Sequence, residues 1–189
     1  MDSPIARAMT GLGLAAMLSG CIPKERDDAV APCTEEIWIS TVRSSFLSQG
    51  GTEQKYFTVF THEADGGSPS MPLDTLGADT VYDVHVDVWS TTCGQGRNIA
   101  PVIEAEGDLY QFFYLADSVD ISFAYNDTDV NGLPIGRTTE WTANSISSGG
   151  LRLVLRNAPD KNAAGVSDGD ITNAGGMTDI DWVFPMVIE

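Results

Sequence analysis

The sequence has little positive charge for its length. Its 189 residues include ten lysines and arginines against 27 aspartates and glutamates, which gives a formal net charge of −17. Nucleic-acid binding needs basic residues that neutralise phosphates, so this composition argues against a nucleic-acid partner. It also argues against direct docking on anionic lipid. It favours solubility and the attraction of cations.

Histidines and catalytic motifs are also scarce. The chain has two histidines, and it lacks a GxSxG elbow, an HExxH pair and a phosphate-binding glycine loop. A zinc site takes about four ligands, which two histidines supply poorly. Carboxylates are so numerous that no pair of them stands out for glycoside hydrolysis. We therefore interpret the protein as non-enzymatic.

The N-terminus carries the pattern of an export signal. The run from Ala8 to Leu18 is apolar or small, and it is too short to span a bilayer permanently. The letters LSGC follow, ending at Cys21, and they resemble the lipobox of bacterial lipoproteins. The resemblance implies cleavage before Cys21 and lipidation of this residue. A plain secreted protein that is cut nearby is the alternative.

The residue after Cys21 is Ile22 and not aspartate. By the sorting rule of the lipoproteins that this chain resembles, an outer membrane lipoprotein is implied, on either the periplasmic face or the cell surface. We expect a signal peptide over residues 1–20, a lipidated tether over 21–35 and one folded domain over 36–189. That domain is long enough for a substantial core.

The remaining two cysteines are Cys33 and Cys93. An export signal sends a protein to an oxidising compartment, so a disulfide between them is predicted. Two free, buried thiols are the alternative.

Beyond the tether, runs of β-branched and aromatic residues alternate with clusters of Gly, Asp, Ser and Asn, as in strands and turns. One short helical pattern lies near 98–107. Apolar and polar residues alternate within several strands, which is typical of antiparallel sheets with one buried face. We predict an all-β fold, an antiparallel, immunoglobulin-like β-sandwich of about seven or eight strands, with a small closed barrel as the alternative. The strands are expected near 37–47, 55–62, 80–91, 110–115, 119–126, 137–143, 150–157 and 179–188.

The C-terminal half resembles a family of small lipoproteins from Gram-negative bacteria. The most specific part is the run from Gly165 to Ile180, which begins with GVSDGDITNAGG, and the resemblance runs from about Val81 to Ile188. Members often carry the name "type 1 periplasmic binding fold superfamily protein", which implies solute binding, and the resemblance implies an outer-membrane transporter as recipient. The literal fold of that name needs βαβ units of about 30 residues or more. Since this chain has hardly any helical pattern, we retain the resemblance to the family but do not expect the fold that its name describes.

Three positions depart from the family's pattern. Members tend to have histidine at the positions of Tyr110 and Asn157, and glutamate at the position of Met177. If those groups bind metal in relatives, this chain has lost three of them. The departure argues against transition-metal transport.

One predicted strand, at 80–91, has a chelate-like face. Asp83, His85 and Asp87 alternate with apolar residues and therefore point the same way. Successive members lie about 7 Å apart, which is too wide for all three to share one ion without neighbours. A solvated strand face is the interpretation that this spacing favours.

The letters DTDVNG, which begin at Asp127, match the opening of a calcium loop. Asp127, Asp129 and Asn131 supply oxygen at positions 1, 3 and 5, and glycine at position 6 permits the bend. The twelfth position is Thr138 instead of glutamate. A polar turn between strands is therefore the alternative.

A second acidic stretch is rich in glycine. It holds Asp168, Asp170, Asp179 and Asp181. The glycine-rich connection is longer than most in compact domains, and such long connections are typical of functional or mobile loops. We expect both acidic stretches to lie at one end of the sandwich, where they could bind calcium weakly. A mobile linker is the alternative.

We therefore expect a lipid-anchored, non-enzymatic envelope protein that binds a solute or a protein partner. The alternative function is a structural or adhesive surface module with calcium-binding acidic loops. A concave pocket lined by aromatic residues such as Trp38, Trp89 and Trp141 would favour capture of a solute.

Overall fold

Strands dominate the computed structural model, which describes residues 39–51, 54–60, 75–90 and 96–189. One short helix, α1, spans Ala100–Ala105, and 3₁₀ turns lie at Gly107–Leu109, Val166–Asp168 and Ile171–Asn173. The strands of this part of the chain are β1 (Ile39–Ser48), β2 (Gln54–Phe60), β3 (Thr80–Ser90), β4 (Arg97–Asn98), β5 (Tyr110–Asp117), β6 (Ile121–Tyr125), β7 (Thr138–Ala143), β8 (Ser147–Asn157) and β9 (Met177–Ile188).

The strands form two sheets that pack face to face. The larger sheet has the order β2-β1-β3-β7-β6, with β4 paired to β3, and the smaller has the order β5-β8-β9. Every pair of named strands is antiparallel. The prediction of an all-β antiparallel sandwich is therefore confirmed. The small closed barrel is wrong, because the described strands form two sheets and not one.

Strict alternation explains which residues enter the core. On β3, Tyr82, Val84, Val86 and Val88 are at most 3% exposed, and the polar residues between them face outward. On β9, which belongs to the smaller sheet, Phe184 and Met186 also point inward and are buried. Burial of two such rows removes apolar surface from water, and each Å² of that surface stabilises the fold by roughly 25 cal/mol.

Trp141 lies at the centre of this core and is 1% exposed. The rings of Phe46, Tyr114 and Phe123 surround it, with centroids 5.0, 5.2 and 4.9 Å away. Its indole N–H donates a hydrogen bond to Oγ1 of Thr139 at 2.8 Å, so its one polar atom is satisfied.

Each of the eight predicted strands is present, and the strand ends that lie within the described residues are displaced by a few residues at most. The predicted helix at 98–107 is shorter than expected. Arg97–Asn98 is paired with β3 instead, and Gly107–Leu109 forms a 3₁₀ turn. A strand of two residues has no periodicity, so β4 could not be predicted.

Residues 158–176, which join β8 to β9, fold over the outer face of the smaller sheet, and we refer to them as the cover. Val166 and Ala174 are completely buried there, in a second cluster with Phe113 and Val154. The amide of Gln111 donates to the carbonyl of Val166 at 2.7 Å. The glycine-rich stretch is therefore held against the smaller sheet at Val166 and Ala174, although most of its other residues are exposed or half-buried.

Several predictions fall outside the described residues. These are the signal peptide at 1–20, the tether at 21–35 and the sites at Cys21, Cys33 and Cys93, which stay predictions. The described residues belong to one compact unit. Within them, no helix combines the length and apolar character needed to cross a membrane.

Candidate functional site

A cavity of about 650 Å³ lies beside α1 at one end of the sandwich, between the two sheets. Its volume is in the range of small-molecule sites. Apolar side chains supply six of the eleven lining residues, and the other five are polar or charged. The lining residues are Ile39, Arg97, Ile99, Val102, Ile103, Tyr110, Leu155, Asn157, Met177, Thr178 and Asp179.

The helix α1 is held in place at both ends. The N–H of Ile99 donates to the carbonyl of Val88 at 2.8 Å, which joins the helix start to β3. Near the other end, Glu104 accepts a hydrogen bond of 2.7 Å from the guanidinium of Arg137, which is itself buried. Ile103 is buried in the main core and also lines the cavity, together with the more exposed Val102.

A β-bulge brings Asp179 to the cavity. Leu155 pairs with Ile180 and Arg156 pairs with Thr178, so Asp179 is the extra residue of β9. A bulge interrupts alternation and re-aims the side chain at the extra position. Asp179 consequently joins the cavity wall.

Asp179 is the negatively charged lining residue of the cavity, whose wall also holds the guanidinium of Arg97. The one hydrogen bond that Asp179 receives from a described side chain comes from the amide of Asn157, at 3.4 Å. Although Asp179 is exposed as a whole residue, partial burial of its carboxylate raises its pKa above 3.8. Burial, followed by the charges of Asp179 and Glu106, raises the pKa of the Tyr110 phenol. A negative field therefore reaches the hydroxyl of Tyr110.

The three positions at which the chain departs from the resembled family lie side by side. Tyr110 pairs with Asn157 across β5 and β8, and Asn157 pairs with Met177 across β8 and β9. All three residues line the cavity. The resemblance was the one sequence signal that pointed to these positions.

The aromatic-lined pocket that would have favoured solute capture is not found among the described residues. Trp141 belongs to the closed core, and Trp89 is not among the lining residues. Trp38 lies outside the described residues. Tyr110 is the aromatic residue of the described wall, which is otherwise aliphatic and polar.

The face of β3 with Asp83, His85 and Asp87 is built around Arg137 and is not simply solvated. The guanidinium of Arg137 lies 3.1 Å from Nε2 of His85 and 3.4 Å from a carboxylate oxygen of Asp87. Asp83 is further along the strand and accepts from the amide of Gln49 at 3.0 Å. Since a cation occupies this position, the network supports α1 instead of offering a chelate.

In the first acidic stretch, Asp127 binds backbone. Its carboxylate accepts hydrogen bonds of 2.7–2.9 Å from the N–H groups of Gly136, Arg137 and Thr138. Asp129 accepts from the N–H of Asn131 at 2.8 Å. These bonds fix the connection between β6 and β7, as expected for a polar turn.

Asp129 is also the partner of a buried lysine. Its side chain is 1% exposed, and Nζ of Lys161 lies 2.9 Å from its carboxylate. Burial by itself would raise the pKa of Asp129, but hydrogen bonds from Lys161, Leu133 and Asn131 hold that pKa below its ordinary value. Lys161 belongs to the cover, so this pair joins the first acidic stretch to the cover through a cation of the protein.

The second acidic stretch is dispersed. Asp168 is exposed, and Asp170 accepts from the N–H of Thr172 at the start of a 3₁₀ turn. Asp181 forms an ion pair of 2.6 Å with Arg152, and Asp179 lines the cavity. In the described part of the chain, no group of three or more His, Cys, Asp or Glu side chains is placed to hold a metal ion. Calcium binding by these loops stays a prediction, without a grouped ligand set to support it.

Comparison of the chain with family models, with curated proteins and with solved structures gave no match.

Proposed function

We propose that this protein is a lipid-anchored, non-enzymatic binding protein of the cell envelope, and that it holds a small, largely apolar solute in the cavity beside α1. The observation that carries the proposal is the cavity of about 650 Å³. Its walls combine aliphatic side chains with the polar groups of Arg97, Tyr110, Asn157, Thr178 and Asp179, and all of these except Arg97 come from the adjacent strands β5, β8 and β9. Such a combination is the usual design of small-molecule sites.

The envelope location rests on the N-terminal sequence. The lipobox-like LSGC and Ile22 favour an outer membrane lipoprotein. An anchored binding domain would keep its solute close to the membrane, and the family resemblance implies an outer-membrane transporter that receives it.

The proposal is tested by filling the cavity. N-phenyl-1-naphthylamine, a neutral apolar probe, is expected to bind the purified protein saturably with one site per chain, as measured by equilibrium dialysis. Val102 lines the cavity from α1 and is 39% exposed, so Val102→Trp can place an indole there without disrupting the core. We expect the substitution to weaken probe binding by about tenfold or more, because it removes the volume that the probe needs.

Val183→Trp is the matched control. Val183 is 60% exposed on β9 and is not a lining residue, so the same change there should leave binding unaltered. Equal binding by both variants, or no saturable binding by the unaltered protein, would show that the cavity is not a binding site. If Val102→Trp alone weakens probe binding, native mass spectrometry of protein purified from its host would identify the solute.

A further inference from the structure

We propose that the cavity selects organic cations, and that a protonated amine carried on an apolar body binds with its ammonium group at Asp179. This inference rests on the proposed function, because it names the class of solute for the same cavity.

The first support is the direction in which the side chain of Asp179 points. Alternation from Ile180 would put residue 179 on the outer face of the smaller sheet, as it does for Asp181. The bulge opposite Leu155 and Arg156 overrides that pattern and brings Asp179 into the wall of the cavity. Bulges occur preferentially beside functional sites, where they redirect a side chain.

The second support is that the carboxylate has no cationic partner in the described part of the chain. The ion pairs found there involve Asp87, Glu104, Asp129 and Asp181. Asp179 receives one weak hydrogen bond, of 3.4 Å, from Asn157. A partly buried charge without a partner is unfavourable, so a cation that arrives with the solute would be stabilised there.

The neighbouring groups favour positive charge as well. Tyr110 presents an aromatic ring to the cavity, and such rings attract ammonium groups at their faces. Glu106 adds a second negative charge near the Tyr110 hydroxyl. Arg97 is the basic lining residue, but it is exposed and is not paired with Asp179.

An organic cation fits better than a metal ion. Asp179 belongs to no described group of three or more potential metal ligands. A cavity of about 650 Å³ is far larger than one ion, and Ile99, Val102 and Leu155 offer it no oxygen ligands. The aliphatic wall instead suits an apolar body attached to the charged group.

Three indole compounds of similar size provide the test. Tryptamine is a cation at pH 7, tryptophol is neutral, and indole-3-propionate is an anion. Dissociation constants for the purified protein are measured by ligand-observed NMR. We expect tryptamine to bind about tenfold more tightly than tryptophol, as a charge-assisted hydrogen bond requires, and the propionate to bind more weakly than tryptophol.

Two neighbouring aspartates supply a matched pair of variants. Asp179→Asn should bring tryptamine and tryptophol to within about twofold of each other, because it removes the charge and keeps the size of the side chain. Asp181→Asn should keep the full preference, because Asp181 is paired with Arg152 outside the cavity.

The inference is overturned if tryptophol binds the unaltered protein as tightly as tryptamine, if Asp179→Asn keeps the preference, or if none of the three compounds binds. Binding of N-phenyl-1-naphthylamine that Val102→Trp abolishes would still support a solute site in each of those cases. The two proposals can therefore fail separately.

Discussion

Lys161 and Asp179 are both charged side chains in partly apolar surroundings, but the protein satisfies them differently. Nζ of Lys161 donates to the carboxylate of Asp129 and to the carbonyl of Pro134, each at 2.9 Å, and also to the carbonyl of Gly107. Asp179 has one long hydrogen bond from a described side chain. A satisfied charge of the first kind supports the fold, whereas one of the second kind costs stability and is available to a ligand.

Replacement of Lys161 should therefore be strongly destabilising. Lys161→Met leaves the carboxylate of Asp129 buried without its cation, and we expect the free energy of unfolding to fall by about 3–5 kcal/mol. Urea denaturation followed by far-UV circular dichroism measures this change. Arg152→Met is the control, since its ion pair with Asp181 is nearly half exposed and should contribute less than about 1 kcal/mol. Similar losses in both variants would contradict the structural role of Lys161.

Replacement of Asp179 should instead raise the stability of the folded chain. Its pKa is raised above 3.8, so its protonated form is favoured by folding, and its charge costs stability once the pH exceeds that folded-state pKa. Asp179→Asn should raise the melting temperature slightly at pH 7, because Asp179 is exposed as a whole residue and solvent screens much of the cost of its charge. The gain should vanish near pH 3, where the carboxyl is largely protonated in both the folded and the unfolded chain.

Calorimetry at the two pH values checks this prediction. Asp181→Asn is the control, because a hydrogen bond from Arg152 lowers the pKa of Asp181 and its charge therefore stabilises the folded chain at pH 7. Its melting temperature should fall slightly at pH 7. A loss of stability in Asp179→Asn at pH 7 would show that this carboxylate is a structural group.

At the scale of elements, the cover over the smaller sheet depends on a few apolar contacts. Val166 is completely buried against Phe113 and Val154, although glycine and aspartate surround it in the sequence. Val166→Ala should cost about 2 kcal/mol, the transfer free energy of the lost methyl groups with a small cavity added. Amide hydrogen exchange should show the largest loss of protection within 158–176.

Val130→Ala is the corresponding control, because Val130 is 91% exposed in the connection between β6 and β7. It should change neither the stability nor the exchange pattern. Uniform loss of protection across both sheets in Val166→Ala would mean that the cover and the main core unfold as one unit.

The sequence predicted elements better than it predicted the site, for a physical reason. Alternation is a local property, so strands such as β3 and β8 could be recognised from their own residues. The cavity depends on the pairing of β8 with β9, and the bulge at Asp179 leaves no mark in the alternating letters of TDIDW. The sequence accordingly grouped Asp179 with Asp181, which the fold separates into a cavity group and an outer ion pair.

The calcium hypothesis stays a prediction, and it illustrates the same limit of sequence reasoning. Spacing placed Asp127, Asp129 and Asn131 as ligands, but spacing does not reveal competing donors. The N–H groups of Gly136 and Arg137 and the ammonium of Lys161 come from elsewhere in the chain and occupy these carboxylates. A polar turn and a cation site can share one sequence pattern, and only the tertiary contacts of the carboxylates distinguish the two.

At the scale of the whole molecule, the net charge of −17 bears on how the protein stays at a membrane. An acidic domain is repelled by anionic lipid, so electrostatic attraction cannot hold it there. One acyl chain binds a membrane marginally, whereas two or three bind it firmly. The proposed location therefore depends on full lipidation of Cys21.

Cys21→Ser should move the protein from the membrane fraction to the soluble fraction of its host, because serine cannot form the thioether to diacylglycerol. Fractionation and immunoblotting at low and high salt measure the change, and the salt series detects any residual electrostatic attachment. Cys33→Ser is the matched control: it makes the same substitution 12 residues further along the chain, and it should leave the protein in the membrane fraction even if it removes a disulfide. Retention of Cys21→Ser at both salt concentrations would contradict the lipid anchor, and the solute would then have to be captured by a protein that is held at the envelope in another way.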